Sequence, residues 1–520
     1  MAIYVNLLFL SGMMDMSKFT LGWLFLACLT TSVHAQSEYE AYLQQNTLDM
    51  KAAQQEFKNY LDENDKAFIG FLKMQWQEVE VKKPVVRDVK PKPSALPVAP
   101  IVKAPIQKPD DSSASNIKPI VIKPISIKPI AGSNPSAEPT VKPVEPAPVA
   151  VLIPEDKKAQ TVTFSYFSHS VEITENKKLK QRLVGKVNNK AIANYFTALA
   201  KQAHKDTIKE LKQKAKQLKL NDWGTAQLFN QYVKALGVNH HNEQQLTTWF
   251  LLTKAGYNAR IAFNQNAFLL LPSQQALYGV TYFTLKGTRF YALDLGGKPV
   301  SVGKAFTYSG NHGAGLAIMD FKQANKMLPS DKTEQREFDF AYQGKQYSLT
   351  LDYDLGLVNY SNTIPQMDIE NYANEGLPSS TAFQLLTQLK PIVEGQTEVE
   401  AVNRLMRFVQ TGFAYKTDEE QFNNENYLFP IETLHYPYSD CEDRAALFAW
   451  LTKTLLKLDV VLLDYPGHVA AAVAFNEPVK GDAYQFKGKR YSVTDPTYIN
   501  STVGMSMPQL RNSQPEIVRF

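Results

Sequence analysis

A proline-rich segment at residues 81–154 is the feature that most limits how this chain folds. It holds more than half of the chain's 29 prolines, and Ile-Lys-Pro-Ile recurs every five residues between 117 and 130. Proline lacks a backbone N–H, so it interrupts helices and is excluded from inner strands. The sequence therefore predicts an extended, partly polyproline spacer over residues 81–158 whose lysines are solvated. A folded body is expected to begin near Thr161.

Residues 1–36 are typical of an export leader. Lys18 precedes a short apolar run, and small residues end it at Val33-His34-Ala35, where a signal peptidase would cleave. The apolar run is shorter than the ~20 residues of a membrane-spanning helix. Met16 is a candidate start, and lipoprotein-type cleavage before Cys28 is a rival interpretation. An exported, periplasmic or cell-envelope location follows, with membrane contact only if the chain is lipidated.

Residues 37–80 are predicted to form a helix. Large apolar residues recur there at spacings of three, four and seven: Phe57, Tyr60, Leu61, Phe68, Phe71, Leu72 and Trp76. Such a stripe lies against another hydrophobic surface. Two alternatives stay open. The helix packs on its own domain, or it docks on a partner or on the distant catalytic domain.

Composition and cysteine content exclude several classes of protein. A formal charge of +5 over 520 residues is too small to indicate nucleic-acid binding. Of the two cysteines, Cys28 lies in the leader, so the mature chain retains only Cys441. That leaves no internal disulfide and no zinc-type cysteine cluster. A single thiol in an exported protein indicates either pairing with another chain or a reactive site.

Cys441 stands where a loop gives way to a helix. Pro437 and Ser439 are loop residues, and helical periodicity begins at the cysteine of Asp-Cys-Glu-Asp-Arg. A thiol in the first helical turn meets the positive end of the helix dipole and free backbone N–H groups. We therefore expect its pKa to be lowered and the thiolate to be favoured.

A histidine and an aspartate follow Cys441 at equal separations. His468 opens a strand-like run, and Asp495 ends the next one. Taken singly, a buried thiol, a structural histidine and a turn aspartate would each be ordinary. Their joint order predicts a nucleophile, a base and an orienting carboxylate.

These residues resemble the core of the transglutaminase-like superfamily, the papain-like Cys–His–Asp group, in an exported bacterial form. The resemblance covers residues 398–498, and its most specific pieces are Asp-Cys-Glu-Asp-Arg, Gly-His-Val and Val-Thr-Asp-Pro-Thr. It implies an α+β, papain-like fold with Cys441 as nucleophile, His468 as base and Asp495 as orienting residue. It implies neither metal nor organic cofactor. The cysteine motif of the arylamine acetyltransferase relatives is absent, so acetyl transfer is not expected.

The resemblance implies acyl transfer but does not choose the acceptor, because the superfamily includes transamidases, peptidases and inactive members. Water would give a peptidase or amidase, and an amine would give crosslinking. We expect the backbone N–H of Cys441, and less strongly Tyr438, to stabilise the oxyanion. An acidic loop at 415–438 should cover the cysteine. Its Glu419, Glu420 and Glu425 would select cationic substrates or would simply be solvated.

A second block resembles the first. The segment 243–254 resembles 442–453, and 287–294 matches 488–495, at offsets of 199 and 201. In this register Asn242 replaces Cys441, Ala267 falls near the place of His468, and Asp294 matches Asp495. We interpret the block as a degenerate copy of the same fold without nucleophile or base.

The predicted organisation has six parts. They are a leader (1–36), a helix (37–80), a spacer (81–158), a degenerate lobe (159–310), a strand-rich connector (311–378) and a catalytic lobe (379–520). The expected partners are protein or peptide substrates, including cell-wall peptides, and a partner of the N-terminal helix. The competing hypothesis is a non-catalytic envelope scaffold that uses both lobes for recognition.

Overall fold

The computed structural model describes residues 42–50, 63–80, 82–86, 92, 95–100, 160–296, 300, 303–313 and 315–520. The chain forms two compact units, residues 1–67 and 68–520. In the first unit, residues 42–50 and 63–67 are helical. The predicted leader and the part of the predicted spacer beyond residue 100 lie outside the described residues. Within the described ranges, no helix has the length and apolar character needed to cross a membrane.

The helices of the second unit are numbered in chain order, and α1 is the helical segment at residues 68–73. The others are α2 (Asn189–Ala200), α3 (Lys205–Gln217), α4 (Asp222–Ala235), α5 (His241–Ala255), α6 (Leu355–Ser361), α7 (Ile369–Glu375), α8 (Ser379–Val393), α9 (Glu398–Thr411), α10 (Asp418–Phe422), α11 (Pro430–His435) and α12 (Cys441–Leu451). Asn188, Asn221 and Thr397 begin three of them, because their side chains accept otherwise unpaired N–H groups of the first turn.

The strands are β1 (Gln77–Val79), β2 (Thr161–Tyr166), β3 (His169–Thr174), β4 (Arg260–Phe263), β5 (Ala267–Pro272), β6 (Tyr282–Leu285), β7 (Thr288–Ala292), β8 (Ala305–Thr307), β9 (Thr333–Tyr342), β10 (Lys345–Asp354), β11 (Ala414–Tyr415), β12 (Tyr438–Ser439), β13 (Asp459–Tyr465), β14 (His468–Ala474), β15 (Ala483–Phe486), β16 (Lys489–Thr494) and β17 (Glu516–Val518). Together with the helices they make a mixed helix-and-sheet fold. The predicted α+β class is confirmed at that level.

The two larger sheets repeat one topology. The first has the order β1-β8-β4-β5-β7-β6, and the second has the order β15-β16-β14-β13-β17. Read from the opposite edge, the second sheet matches the first strand for strand once β1 is set aside. Every neighbouring pair in both sheets is antiparallel. This agreement supports the proposed duplication.

The repeat extends beyond the sheets. In the first lobe, β2 packs on α4 and β3 packs on α3, and α4 lies against α5. In the second lobe, β9 packs on α9 and β10 packs on α8, and α9 lies against α12. The β9–β10 hairpin, which the sequence placed in a connector at 311–378, thus packs with the second lobe as the β2–β3 hairpin packs with the first.

The central helix of each lobe, α5 or α12, is buried on almost every side. Each lies between the other helices of its lobe and one face of the sheet, to which it contributes apolar side chains. Trp249 and Phe250 fill this layer in the first lobe, and Leu447 and Phe448 fill it in the second. The first residues of α12 are therefore held at a fixed position relative to the ends of β13 and β14.

The helix predicted over residues 37–80 ends earlier than expected, because residues 74–76 leave the helix and 77–79 form β1. Of its predicted apolar stripe, Phe57, Tyr60 and Leu61 lie outside the described residues. Strand β1 pairs with β8 at the edge of the first sheet. Phe68 is buried on α1, with its ring 5.2 Å from that of Phe196 and 5.4 Å from that of Tyr308. The segment that follows residue 67 therefore packs on the first lobe.

Several residues at the start of the predicted spacer are hydrogen-bonded to the folded body. We call the segment 77–100, to which they belong, the strap. The N–H of Lys82 donates to Tyr282 O, and the N–H of Gly279 donates to Val85 O. Further along, the N–H of Ala99 donates to Ile499 O in the second lobe. Lys82, Val85 and Ala99 thus contact both lobes through their backbone groups, which pair with the folded surface. The prediction that the lysines of this segment are solvated is wrong for Lys92, whose ammonium binds buried carboxylates.

Replacing Phe68 should reveal how much α1 contributes to the core. Phe68→Ala is expected to lower the free energy of unfolding by about 3–5 kcal/mol, because a fully buried aromatic ring is lost. The matched control is Phe71→Ala on the same helix, where the side chain is 44% exposed and the loss should be much smaller. Denaturant unfolding of both variants measures the difference. Equal losses would contradict the burial of Phe68 against the first lobe.

Candidate active site

Cys441 is the first residue of α12 and is almost fully buried. The preceding residue, Asp440, is held in extended conformation, and its N–H donates to Asp443 Oδ2 at 3.3 Å. The carbonyl of Asp440 accepts from the N–H of Arg444 and so begins the helix. The predicted loop-to-helix transition at the cysteine is confirmed.

The predicted thiolate is not supported. The Cys441 thiol donates a hydrogen bond to Glu442 Oε2 at 2.9 Å. Burial and the neighbouring carboxylates of Glu442 and Asp440 raise the pKa of the Cys441 thiol well above its ordinary value. The helix dipole acts in the opposite direction but is worth only ~0.3–1 kcal/mol at a helix end. Burial and the negative charges of Glu442 and Asp440 raise the pKa of the thiol by more than the helix dipole lowers it.

His468 and Asp495 are brought together by the second sheet. His468 is the first residue of β14, and Asp495 directly follows β16, the neighbouring strand. His468 Nε2 lies 2.9 Å from Asp495 Oδ2. Asp495 is held in turn because its Oδ1 accepts the N–H of Thr497 at 2.9 Å and that of Tyr498 at 3.1 Å. The carboxylate therefore fixes the orientation of the imidazole ring.

The other imidazole nitrogen, Nδ1 of His468, is buried and has no hydrogen-bond partner among the described residues. Cys441 and His468 both line one cleft, whose volume is about 400 Å³. Gly467, Tyr465 and Tyr427 line it as well. Within the described part of the chain, no hydrogen bond joins the thiol to the imidazole. Cys441 and His468 therefore line the same cleft, but the predicted hydrogen bond between them is not formed among the described residues.

Sequence reasoning missed an acidic cluster beside the cysteine. Lys92 Nζ lies 2.7 Å from Asp440 Oδ2, 2.9 Å from Glu425 Oε1 and 3.6 Å from Asp418 Oδ2, and it also donates to Glu442 Oε1. We call Asp418, Glu425, Asp440 and Glu442 the carboxylate cluster. Glu425 belongs to the predicted acidic loop, whereas the predicted Glu419 and Glu420 are exposed. Nothing in the sequence marked Lys92 among the many lysines of the strap.

Burial and the charges of neighbouring groups set the pKa values in the carboxylate cluster. Burial alone would raise the pKa of Glu442, but the ammonium of Lys92 and the thiol hydrogen bond lower it to about 2. Burial and the charge of Glu442 raise the pKa of Asp418 to about 9. Burial lowers the pKa of Lys92, but Glu442 and Asp440 outweigh that effect and raise it. The Lys92 ammonium and the Glu442 carboxylate are therefore both charged at neutral pH.

Three members of the cluster offer a set of metal ligands. Oxygen atoms of Asp418, Asp440 and Glu442 lie within 4.8 Å of one another. Hard cations such as Ca²⁺ prefer such an all-oxygen set. The position between these oxygens is filled by the Lys92 ammonium.

Tyr438, the second predicted oxyanion donor, is not among the residues that line the cleft. Its ring lies 4.6 Å from Lys416 Nζ, in a cation–π contact. The backbone N–H of Cys441 has no helical partner, as expected at the first turn of a helix. The backbone N–H of Cys441 stays the predicted oxyanion donor, and the role of Tyr438 as a second donor also stays a prediction.

The sheet register assigns counterparts in the first lobe. On β7 and β16, Ala292 and Val493 are equivalent at the predicted offset of 201, which the β6–β7 and β15–β16 pairs share. Ala292 pairs with Leu270 on β5, and Val493 pairs with Ala472 on β14. Leu270 and Ala472 are therefore equivalent, which makes the offset on this strand 202.

This offset corrects one predicted counterpart. Asn266, and not Ala267, occupies the place of His468. Asn242, the predicted counterpart of Cys441, donates to Asn266 Oδ1 at 3.4 Å. Asp294 Oδ1 accepts the N–H of Gly296 at 2.9 Å, as Asp495 Oδ1 accepts that of Thr497. The first lobe thus has two asparagines where the second has thiol and imidazole.

No family model, no curated protein and no solved structure matches this chain.

Replacing Glu442 should change the acidity of the thiol. Glu442→Gln removes the negative charge that disfavours the thiolate and leaves only a neutral amide oxygen as acceptor for the thiol, so the pH midpoint of Cys441 alkylation should fall by about one unit or more. Alkylation is followed by mass spectrometry of the peptide that contains Cys441. Glu419→Gln, at an exposed position of the nearby loop, is the control and should leave the midpoint unchanged. A midpoint that stays or rises in Glu442→Gln would contradict a thiol held neutral by this carboxylate.

Proposed function

We propose that the chain is an exported, transglutaminase-like cysteine enzyme that acts on amide bonds of peptides or proteins by acyl transfer. The observation that carries the proposal is the His468–Asp495 pair. Its second ring nitrogen, Nδ1, is buried without a partner among the described residues, and His468 lines the cleft that Cys441 also lines. Nucleophilic catalysis requires a base that a carboxylate orients and whose other nitrogen can accept the proton of a nucleophile.

The proposed reaction has two stages. Nδ1 of His468 takes the proton from the Cys441 thiol, and Sγ attacks the amide carbonyl to form a tetrahedral adduct. The adduct collapses to a thioester when the imidazolium returns the proton to the leaving amine. Water or a second amine then attacks the thioester, and the thiol is regenerated. Asp495 keeps the ring oriented and stabilises the imidazolium, and the backbone N–H of Cys441 donates to the oxyanion.

Activation of the thiol is the demanding step in this proposal. The thiol proton points to Glu442, and the pKa of the thiol is raised. Because Glu442 has a pKa of about 2, it is too weak a base to remove that proton. Before attack, the Cys441 thiol must therefore break its hydrogen bond to Glu442 and form one to Nδ1 of His468. Binding of a substrate near Glu442 would favour that exchange.

A non-catalytic scaffold is the second candidate, and specific observations favour it. The Cys441 thiol is neutral and hydrogen-bonded, and the Lys92 ammonium is bound to the carboxylate cluster beside it. The asparagines in the first lobe show that the same topology accommodates a site without thiol and imidazole. In this alternative the two lobes would bind partners in the cell envelope.

Trapping of the acyl-enzyme separates the two candidates. After incubation with a peptide library, the wild-type chain should gain acyl mass on Cys441 that hydroxylamine removes. Cys441→Ala should give none, and His468→Ala should slow acylation by about 10⁴-fold, since members of such a triad act as a unit. Asp495→Asn should lie between wild type and His468→Ala, because only orientation of the ring is lost.

The matched control is Asp294→Asn, the equivalent change in the first lobe, which should acylate at the wild-type rate. Failure of the wild-type chain to acylate with any peptide, while Cys441 reacts with iodoacetamide no faster than a denatured control, would favour the scaffold.

A further inference from the structure

We propose that the carboxylate cluster is a binding site for a primary ammonium group of a substrate, and that Lys92 occupies this site in the free chain. The role of such a site in substrate selection rests on the proposed function, whereas binding of the ammonium does not. The site would place a cationic side chain next to the amide that Cys441 attacks.

The N–H donors of a primary ammonium group match the acceptors of the carboxylate cluster. An ammonium group has three N–H donors on one compact centre. Lys92 Nζ has three close carboxylate partners on separate residues, namely Asp440, Glu425 and Glu442. A guanidinium would present a flat fork instead, which suits one bidentate carboxylate. The cluster is therefore shaped for a primary amine.

Lys92 supplies the positive charge beside the carboxylate cluster. Lys92 is the only cation that forms an ion pair with the cluster within the described ranges. The buried Arg444 directs its donors to Ser439 Oγ and to the carbonyls of Gln410 and Phe413. Within the described residues, the charged Glu442 carboxylate therefore depends on Lys92, or on an ammonium group in its place, for its counterion.

One carboxyl oxygen of the carboxylate cluster is buried and unpaired among the described residues. Asp440 is fully buried, and its Oδ1 has no hydrogen-bond partner among the described residues. Buried polar atoms are normally paired, so each exception needs an explanation. An ammonium placed differently from that of Lys92 would reach this oxygen.

The carboxylate cluster lies directly beside the Cys441 thiol. Glu442 binds Lys92 through Oε1 and the Cys441 thiol through Oε2. The ammonium and the thiol are thus bound to the same carboxylate. Lys92 lies between two anchored points of the strap, at Val85 and Ala99. A substrate amine would have to displace a side chain only, and the strap would keep its anchors.

Removal of the Lys92 side chain should expose the site to a soluble amine. We expect Lys92→Ala to bind n-propylammonium, which replaces the missing atoms, about tenfold or more tighter than the wild-type chain does, because Lys92 no longer competes. Isothermal titration calorimetry measures both affinities. The control variant is Lys83→Met, an exposed lysine of the same strap, which should bind like wild type. The double variant Lys92→Ala/Glu442→Gln should lose the gain.

Two further titrations identify what the pocket accepts. Neutral 1-propanol should not bind Lys92→Ala, and Ca²⁺ should not displace n-propylammonium. Binding of 1-propanol with equal affinity would overturn the proposal, as would tight Ca²⁺ binding without amine binding. In the wild-type chain, Lys92 should be acetylated much more slowly than Lys83, and equal rates would also count against the site. Because these measurements need no turnover, they are repeated in Cys441→Ala, where amine binding should persist even if the proposed enzyme activity is absent.

Discussion

Each lobe depends on one constraint, the burial of a helix that is covered on nearly every side. A helix without a polar face is stable only when other elements enclose it, and here the enclosing layers are a hairpin with two helices and an antiparallel sheet. The start of such a helix is then held rigidly against the ends of the sheet strands. In the second lobe this constraint puts Cys441 and His468 at one cleft, with Asp495 hydrogen-bonded to His468.

The same burial sets the electrostatics of the cleft. Carboxylates at the beginning of α12 are removed from water, and a buried carboxylate needs a partner or a proton. Glu442 keeps its charge because Lys92 is bound to it, whereas burial and the charge of Glu442 raise the pKa of Asp418 to about 9. Burial and the neighbouring carboxylates of Glu442 and Asp440 likewise keep the Cys441 thiol neutral. A cysteine at a helix start is thus not sufficient for a reactive thiolate.

The strap connects these features. Its residues 77–79 extend the first sheet, its residues 97–99 pair with the second lobe, and Lys92 lies between them in the carboxylate cluster. Proline excludes such a segment from helices but not from isolated backbone hydrogen bonds to a folded surface. A composition that indicates a spacer is therefore equally compatible with an extended segment docked on the body.

Local patterns in the sequence determined much of this protein. The helix start at Cys441, the strands that begin at His468 and end before Asp495, and the repeat of helix and sheet between the lobes could all be predicted, because periodicity and turn residues act over a few positions. What only the tertiary structure decided depends on distant residues. Asn266 corresponds to His468 because of hydrogen-bond register between strands, which a one-residue difference in a hairpin loop changes. Lys92 lies about 350 positions from Glu442, and no local pattern shows which of many lysines compensates a buried charge. The raised pKa of the thiol follows from its burial and from the carboxylates of Glu442 and Asp440 beside it, and so it was decided by the fold.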